Sequence, residues 1–368
     1  MTSLHRNIAP PIQDAVDFSL QLPPYERIQL ANGVEVFLVN MGAEDTLQIS
    51  WVFGAGNWYE TAKGTAAVTN YLLKNGTSGK TAFAINEYFD FYGAYLNRSC
   101  FTEFADMTLH CLSRHAGELL PVVAELLTDS RFPETEWNIY RQNALQRLQV
   151  NVKNCDFVAS RLIDAQVFGR EHPYGRYMEA ADYERLTPEQ FQQFYDQYYV
   201  QGNCVIFVAG KIPSSLPKQL EESFGSLPIQ SHRQDRKGPM VVMQPDPNKR
   251  VQLINDENGV QAAIRLARPF PDRHHPDYQP VLLLNTIFGG YFGSRLMANI
   301  REDKGYTYGI YSYLQNHIRE TAWTISAEVG REVAAATLHE IHAEMKRLRE
   351  ELLGPEELKM ARNYLMGT

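Results

Sequence analysis

An internal repeat is the feature of this sequence that most restricts its fold. Three short segments recur at a similar spacing in the second half of the chain. The matching segments are RIQL at Arg27–Leu30 and RVQL at Arg250–Leu253, Glu103–Leu112 and Thr321–Val329, and PET from Pro133 and PEE from Pro355. The members of each pair are about 217 to 223 residues apart. Self-similarity at a nearly constant offset predicts two copies of one structural unit.

Each copy is predicted to combine a sheet with helices. Alternating apolar residues predict a hairpin around the Asn-Gly pair at 32–33. Further strands are predicted at Leu47–Phe53, Tyr95–Cys100, Glu103–Leu112 and Cys204–Ala209. Helical patterns lie between them, and Pro188–Tyr199 is the best marked, because TPEQ at its start is a capping box with proline at the first helical position. The fold class is therefore α+β, with an antiparallel-rich sheet and packed helices in each of two sandwich repeats.

The length of 368 residues also favours more than one domain. We predict a proline-rich N-terminal arm at 1–24, a first repeat at 25–226, a linker at 227–249 and a second repeat at 250–368. By the repeat register the second copy is about 80 residues shorter than the first. We therefore expect the sequence to be a fragment in preference to a naturally short protein.

Composition narrows the classes of partner. The net charge of −8 disfavours a nucleic-acid phosphate binder, which normally shows a basic surface. The four cysteines form no CxxC motif, which is typical of reduced thiols in a cytoplasmic protein. The N-terminus shows no signal peptide and the chain no long apolar run, so we expect no membrane span. The predicted location is the cytoplasm, or the periplasm if a signal peptide has been removed.

A segment in the first repeat resembles a metal-binding helix without its ligands. Residues 64–77 read GTAAVTNYLLKNGT. This resembles the pitrilysin/insulinase family of zinc peptidases, which includes the mitochondrial processing peptidase and carries Gly-x-Ala-His-x-x-Glu-His-x-x-x-x-Gly-Thr here. Gly64, Ala66, Gly76 and Thr77 match the frame. The resemblance implies a clamshell of two homologous repeats, with a peptide held inside.

The residues that would bind zinc in that family are replaced. Ala67 and Tyr71 stand at the two histidine positions, Asn70 at the glutamate, and Arg147 at the third ligand on a later helix. Two imidazoles one turn apart bind zinc, and the carboxylate takes a proton from the metal-bound water. Alanine has no lone pair, asparagine is no general base, and arginine repels a metal ion. We therefore expect no zinc and no catalytic residue in this chain.

The second repeat carries a more complete motif. Its glycine-rich stretch FGGYFGSRL is followed by NIREDKGYTY, similar to the C-terminal motif of the same family. The resemblance implies that Arg301 and Tyr308 reach a peptide held at the zinc of the other half, and that Gly289 and Gly290 line the binding region. A guanidinium and a phenol can both grip a peptide carbonyl. The alternative is a solvated helix residue at Arg301 and a sheet-core residue at Tyr308.

Two more residues are candidates for substrate binding. Asn97 and Glu103 lie in a segment that resembles the family's edge strand, which binds peptides by strand addition. The alternative is that they are an ordinary turn residue and surface residue. We interpret His172, in a turn that also matches the family, as structural.

These observations predict a non-catalytic, substrate-positioning subunit of a heteromeric zinc metallopeptidase. Its partners would be a zinc-bearing homologous subunit and a peptide, or a second copy of itself when that subunit is absent. No cofactor is expected in this chain, and zinc only on the partner. One alternative is a structural scaffold of the same fold with no substrate. Another is a peptidase active alone, which would need three or four convergent ligands that the sequence does not offer.

Overall fold

The computed structural model describes residues 21–231 and 250–367. Most of the predicted N-terminal arm (1–24) and of the predicted linker (227–249) lies outside these residues. Two compact units are present. We call them the N-terminal unit, with described residues 23–151 and 168–231, and the C-terminal unit, with described residues 21–22, 152–167 and 250–367.

The described elements comprise both strands and helices, as the α+β prediction requires. The strands are β1 (Glu26–Gln29), β2 (Glu35–Asn40), β3 (Thr46–Phe53), β4 (Tyr95–Cys100), β5 (Ala105–Leu112), β6 (Cys204–Gly210), β7 (Gln261–Phe270), β8 (Thr307–Asn316) and β9 (Thr321–Gly330). The helices are α1 (Thr65–Leu72), α2 (Ala82–Phe91), α3 (Ala116–Asp129), α4 (Glu134–Asn151), α5 (Cys155–Val167), α6 (Ala180–Arg185), α7 (Pro188–Tyr195), α8 (Leu216–Phe224), α9 (Tyr278–Asn285), α10 (Ala334–Glu350) and α11 (Pro355–Gly367).

The N-terminal unit is built on a six-stranded sheet. The strand order is β1-β2-β6-β3-β5-β4, antiparallel except where β2 pairs with β6. The alternating apolar side chains of β3, including Trp51 and Phe53, are fully buried beneath the helices. The predicted hairpin around 32–33 is confirmed as β1 and β2, and the predicted strand at Tyr95–Cys100 is β4, at one edge of the described sheet.

The C-terminal unit repeats part of this plan. Its described strands follow the order β7-β9-β8, antiparallel throughout, which corresponds to β3-β5-β4 of the first sheet. A long helix follows the last strand in each case. The recurrence of RIQL at Arg250–Leu253 does not extend to local structure, because Arg250–Leu253 forms no strand. No described strand pairs with this segment, and alternation alone does not form a strand without cross-strand neighbours.

Helix α5 packs with the C-terminal unit, although its sequence lies within the predicted first repeat. Neighbouring residues of β7 point to opposite faces of the sheet. Ile264 lies in the core formed with the helices after β7, whereas Arg265 points to α5, where it contacts Asp156 and donates to Ser160 Oγ at 3.1 Å. The Arg265 side chain is 6% exposed. Periodicity alone gave no sign of this, because it shows that a helix is amphipathic but not which sheet it covers.

In the described part of the chain, no helix has the length and apolar character needed to cross a bilayer.

The environment of α5 predicts a specific pH dependence of stability. Burial raises the pKa of Asp164 from its usual value of 3.8 to about 6, against the opposing effects of a hydrogen bond from Gln315 and the charge of Arg265. A carboxyl group with a raised pKa binds more protons when folded, so its ionisation lowers stability as pH rises from about 4 through 6. We expect Asp164→Asn to raise the free energy of unfolding at pH 7.5 by about 1–2 kcal/mol, and to have little effect near pH 4.

Urea denaturation at both pH values measures this effect. Asp156→Asn is the matched control on the same helix, and should lower stability at pH 7.5 by about 1–3 kcal/mol, since it removes the ion-pair partner of buried Arg265. A loss of stability in Asp164→Asn at pH 7.5 would contradict the argument.

Candidate functional site

Helix α1 carries the degenerate zinc motif and starts at a fixed point. Gly64 precedes it with φ of 85°, and a Cβ there would lie 2.6 Å from the sulfur of Met178. The buried carboxylate of Glu60 accepts a hydrogen bond from Ala66 N at 3.0 Å and forms an ion pair with Arg176 at 3.2 Å. Burial raises the pKa of Glu60, and Arg176 opposes that shift. The glycine of the frame is thus retained because the helix entry requires it.

Asn70, at the position of the catalytic glutamate, is part of the core. Its side chain is 2% exposed. Its amide Nδ2 donates to the Tyr199 hydroxyl at 3.1 Å and to the carbonyl oxygen of Asp106 at 3.3 Å. The amide therefore links α1 to the segment before β6 and to β5, which is a structural task and not that of a general base.

Tyr71 and Arg147 both lie beside Tyr140. The Tyr71 ring is 43% exposed, and its centroid lies 4.7 Å from that of Tyr140. Burial raises the pKa of Tyr140 to about 12, and the charge of Arg147, which is exposed on α4, opposes the shift. The guanidinium of Arg98 lies 5.1 Å from the Tyr71 ring centroid and donates to the Tyr71 carbonyl oxygen.

These side chains do not fit a zinc ion. Ala67 offers no ligand atom, Tyr71 packs against another ring, and two arginines, Arg98 and Arg147, lie close to the tyrosines. Within residues 21–231 and 250–367, no group of three or more His, Cys, Asp or Glu side chains is arranged to hold a metal ion. Cationic and aromatic side chains thus surround the motif position Tyr71, where the family has a zinc ligand.

The two predicted substrate-strand residues differ in their surroundings. Asn97 is exposed on the edge strand β4, opposite Thr108 of β5. Glu103 accepts a hydrogen bond from the Tyr174 hydroxyl. His172 is 1% exposed, and its Nδ1 accepts from the backbone amide of Tyr174 at 3.2 Å. The surroundings of His172 agree with the structural interpretation.

The glycine-rich segment of the C-terminal unit packs closely against β8. A Cβ on Gly289 would lie 2.7 Å from Ser312 Cβ and 2.8 Å from Ser312 N, so a larger residue would displace the strand. At Gly290 the nearest atom, Asn285 O, would be 3.3 Å away. Gly289 therefore has a packing role. A Cβ on Gly290 would make a less severe contact, so the packing there is less strict.

Arg301 and Tyr308 are brought together. Arg301 Nε donates to the Tyr308 carbonyl oxygen at 3.1 Å, and its guanidinium carbon lies 4.5 Å from the centroid of Phe292. Tyr308, on β8, is 96% exposed, so it is not the sheet-core residue of the alternative interpretation. The Arg301 guanidinium is held by these two contacts, and the Tyr308 phenol is exposed to solvent. Both groups can donate hydrogen bonds to an external group.

Two further residues, Arg98 and Phe292, shape these regions and were not among the predicted site residues. Arg98 was missed because its role depends on Tyr71 across a strand–helix contact. Phe292 lies within the glycine-rich motif, and an aromatic residue next to glycines is the only sign of it in the sequence.

Comparison with known families covers both units. Residues 35–179 match the family described as insulinase (peptidase family M16), and residues 185–365 match the peptidase M16 inactive domain. The chain belongs to the M16 peptidase family. The predicted family resemblance is confirmed.

M16 relatives align along most of the chain. "Uncharacterized zinc protease YmxG" of Bacillus subtilis is 25% identical over 348 residues, covering 93% of this chain and 83% of the relative. "Probable mitochondrial-processing peptidase subunit beta" of Schizosaccharomyces pombe is 26% identical over 275 residues, covering 73% and 60%. A solved peptidase M16 inactive domain from Pseudomonas fluorescens has a TM-score of 0.81 at 26% identity, covering 94% of this chain and 84% of that one. A protease from Helicobacter pylori, at 18% identity and TM-score 0.81, shares the fold.

The structural task of Asn70 in this M16 chain can be tested. Asn70→Ala leaves the buried Tyr199 hydroxyl and Asp106 carbonyl without their donor, so we expect a loss of about 1–3 kcal/mol in the free energy of unfolding. Asn97→Ala, on the exposed edge strand, is the control and should change stability by less than about 0.5 kcal/mol. Urea denaturation followed by circular dichroism measures both, and equal effects of the two substitutions would contradict the assignment.

Proposed function

We propose that this M16 chain is the non-catalytic, substrate-positioning subunit of a heteromeric zinc metallopeptidase. The observation that carries the proposal is the contrast between two motifs. The zinc-binding positions hold Ala67, Asn70, Tyr71 and Arg147, of which Asn70 serves the core. Arg301 and Tyr308, by contrast, present a positioned guanidinium and an exposed phenol.

Arg301 and Tyr308 would act on the carbonyl group of a bound peptide. Both are hydrogen-bond donors, and such donors bind more strongly as negative charge develops on a carbonyl oxygen. The contact with Phe292 and the Tyr308 carbonyl limits the rotamers of Arg301, so less entropy is lost when it binds substrate. In this proposal the zinc ion and the attacking water belong to the partner subunit.

The edge strand β4 would support the peptide main chain. Its outer side lacks a neighbouring strand in the described sheet, and Asn97 is exposed on it. An extended peptide can add to such an edge through main-chain hydrogen bonds.

We also propose that a second copy of the chain is the partner when the zinc-bearing subunit is absent. The proposed location of the protein is the cytoplasm.

The first test is reconstitution. The purified chain is assayed for zinc and peptide hydrolysis, alone and mixed with a candidate M16 partner that carries an intact His-x-x-Glu-His. We expect no stoichiometric zinc in the chain alone and hydrolysis that depends on adding it to the partner. Zinc-dependent hydrolysis by the chain alone would overturn the proposal. If adding the chain leaves the activity of the partner unchanged, the alternative of a structural scaffold is favoured.

The second test separates substrate positioning from assembly. In the reconstituted enzyme, Tyr308→Phe and Arg301→Lys should each lower kcat/KM by about 100-fold. Tyr308→Phe removes a donor to the developing charge, and Arg301→Lys replaces the planar fork of guanidinium donors by an ammonium that does not reproduce its geometry. Tyr311→Phe is the control, since Tyr311 lies on the same strand and is also exposed. Sedimentation should show unchanged assembly in all three. An unchanged rate in Tyr308→Phe and Arg301→Lys would show that the pair does not grip the substrate.

A further inference from the structure

A partly buried arginine beside the degenerate zinc motif is held only by neutral groups. Arg98 lies on the edge strand β4, and its side chain shares a face of the sheet with buried Leu96, next to α1. Its Nη1 donates to the carbonyl oxygen of Tyr71 and, at 3.5 Å, to Asn75 Oδ1. The guanidinium is therefore anchored at one end by α1 and by the residues that follow it.

The other donor edge of Arg98 is free. Within the described residues its Nε and Nη2 make no hydrogen bond, and neither atom is sealed from solvent. These two N–H groups form the side of a guanidinium that binds both oxygens of a carboxylate or a phosphate. Arg295 in the C-terminal unit shows the same edge when it is filled, since its Nε and Nη2 donate to the two carboxylate oxygens of Glu357 at 2.7 and 2.9 Å.

A second cation adjoins this arginine. Lys74 Nζ lies 3.5 Å from the carbonyl oxygen of Leu96, two residues before Arg98 on the strand. Burial lowers the pKa of Lys74, repulsion by Arg98 lowers it further, and the charge of Asp90 opposes these effects only in part. Burial also lowers the pKa of Arg98 from 12.5 to about 10, and among the described groups Tyr71 opposes that shift. Two cations held close together and largely out of water are unfavourable without an anion.

The described carboxylates do not supply that anion. Glu136 of α4 reaches this region, but its Oε2 accepts from Asn75 Nδ2 at 2.7 Å. No Asp or Glu of the described residues lies within ion-pair distance of Arg98 or Lys74. The Tyr71 ring, whose centroid lies 5.1 Å from the Arg98 guanidinium carbon, is 43% exposed. The cations are therefore near the surface, where an anion from solvent can reach them.

We propose that Arg98 and Lys74 form a binding site for an oxyanion with two oxygens on one atom, the chemistry shared by the carboxylate of a peptide and by a phosphate group. Arg98 Nε and Nη2 donate to the two oxygens, the Lys74 ammonium adds positive charge, and Tyr71 borders the site. The proposal does not depend on a zinc-bearing partner or on Arg301 and Tyr308, because binding is measured on the chain alone.

A probe series on the purified full chain tests the chemistry. Isothermal titration calorimetry, in a chloride buffer free of carboxylates and phosphate, compares acetyl-dialanine, its C-terminal amide and inorganic phosphate. At least one of the two anions should bind saturably, and the uncharged amide at least about tenfold more weakly than the better anion. Tighter binding of acetyl-dialanine assigns the site to a peptide carboxylate, and tighter binding of phosphate assigns it to a phosphate group. If neither anion binds, or the amide binds equally, the free donors are only hydrated and the proposal is wrong.

Substitution of the cations tests the location. Arg98→Met should weaken binding of the better anion by at least about tenfold, and Lys74→Met by a smaller factor, because only the guanidinium offers a bidentate edge. Arg131→Met is the matched control, since Arg131 belongs to the same unit but already pairs with Asp129 at 2.9 Å. It should bind the anion as the unsubstituted chain does. Unchanged binding in Arg98→Met would overturn the assignment.

Thermal unfolding gives a second readout. A saturating concentration of the better anion should raise the melting temperature of the unsubstituted chain and leave that of Arg98→Met unchanged, because a ligand stabilises only the folded state that binds it. Equal shifts in the two chains would contradict the proposal. If Arg98→Met does not fold by circular dichroism, the comparison of the better anion with the amide on the unsubstituted chain, together with Lys74→Met, still decides.

Discussion

The placement of β6 is the constraint on which the N-terminal unit depends. This strand comes last in its sheet, yet it lies between β2 and β3 and pairs with both. The sheet is therefore complete only after the chain between β3 and β6 has been arranged, which is a long-range closure with a high entropic cost. Tyr199 stands just before β6 and accepts the hydrogen bond from Asn70 of α1. This buried hydrogen bond therefore couples closure of the sheet to the placement of α1, the helix that carries the degenerate zinc motif.

This coupling explains how an M16 scaffold can keep its shape without ligands for zinc. A histidine that binds a metal is restrained by the ion, and a general base by the metal-bound water that it faces, so the residues that replace them need restraint from elsewhere. Asn70 obtains it from two buried acceptors, and Tyr71 obtains it from ring contact with Tyr140 and from Arg98. The frame glycine Gly64 is needed by the backbone and not by the metal. Replacement of the family's zinc-site residues therefore need not destabilise helix α1.

The sequence predicted the features that depend on local patterns. Strands β3, β4 and β5 follow from alternation, α7 from its capping box, and the family from a frame of glycines around missing ligands. Features that depend on distant contacts could not be predicted. The recurrence of RIQL as RVQL at Arg250–Leu253 is not matched by a second strand, and nothing local marked α5 as a cover for β7. For the candidate site, the sequence supplied Arg301 and Tyr308. The contact of Arg301 with Phe292 and the restraint of Tyr71 by Arg98 depend on three-dimensional contacts that no local pattern shows.

The location of α5 has a consequence for how the chain can be divided. The backbone leaves the N-terminal unit after 151, forms α5 in the C-terminal unit, returns at 168, and leaves again before 250. The units are consequently threaded through each other in sequence, and no single cut yields two complete pieces. A break between 232 and 249 would detach a fragment in which β7 has lost its covering helix and Arg265 its Asp156 counter-ion. Loss or exchange of the first half alone is thereby restricted, because that half encodes α5, which covers β7 of the C-terminal unit.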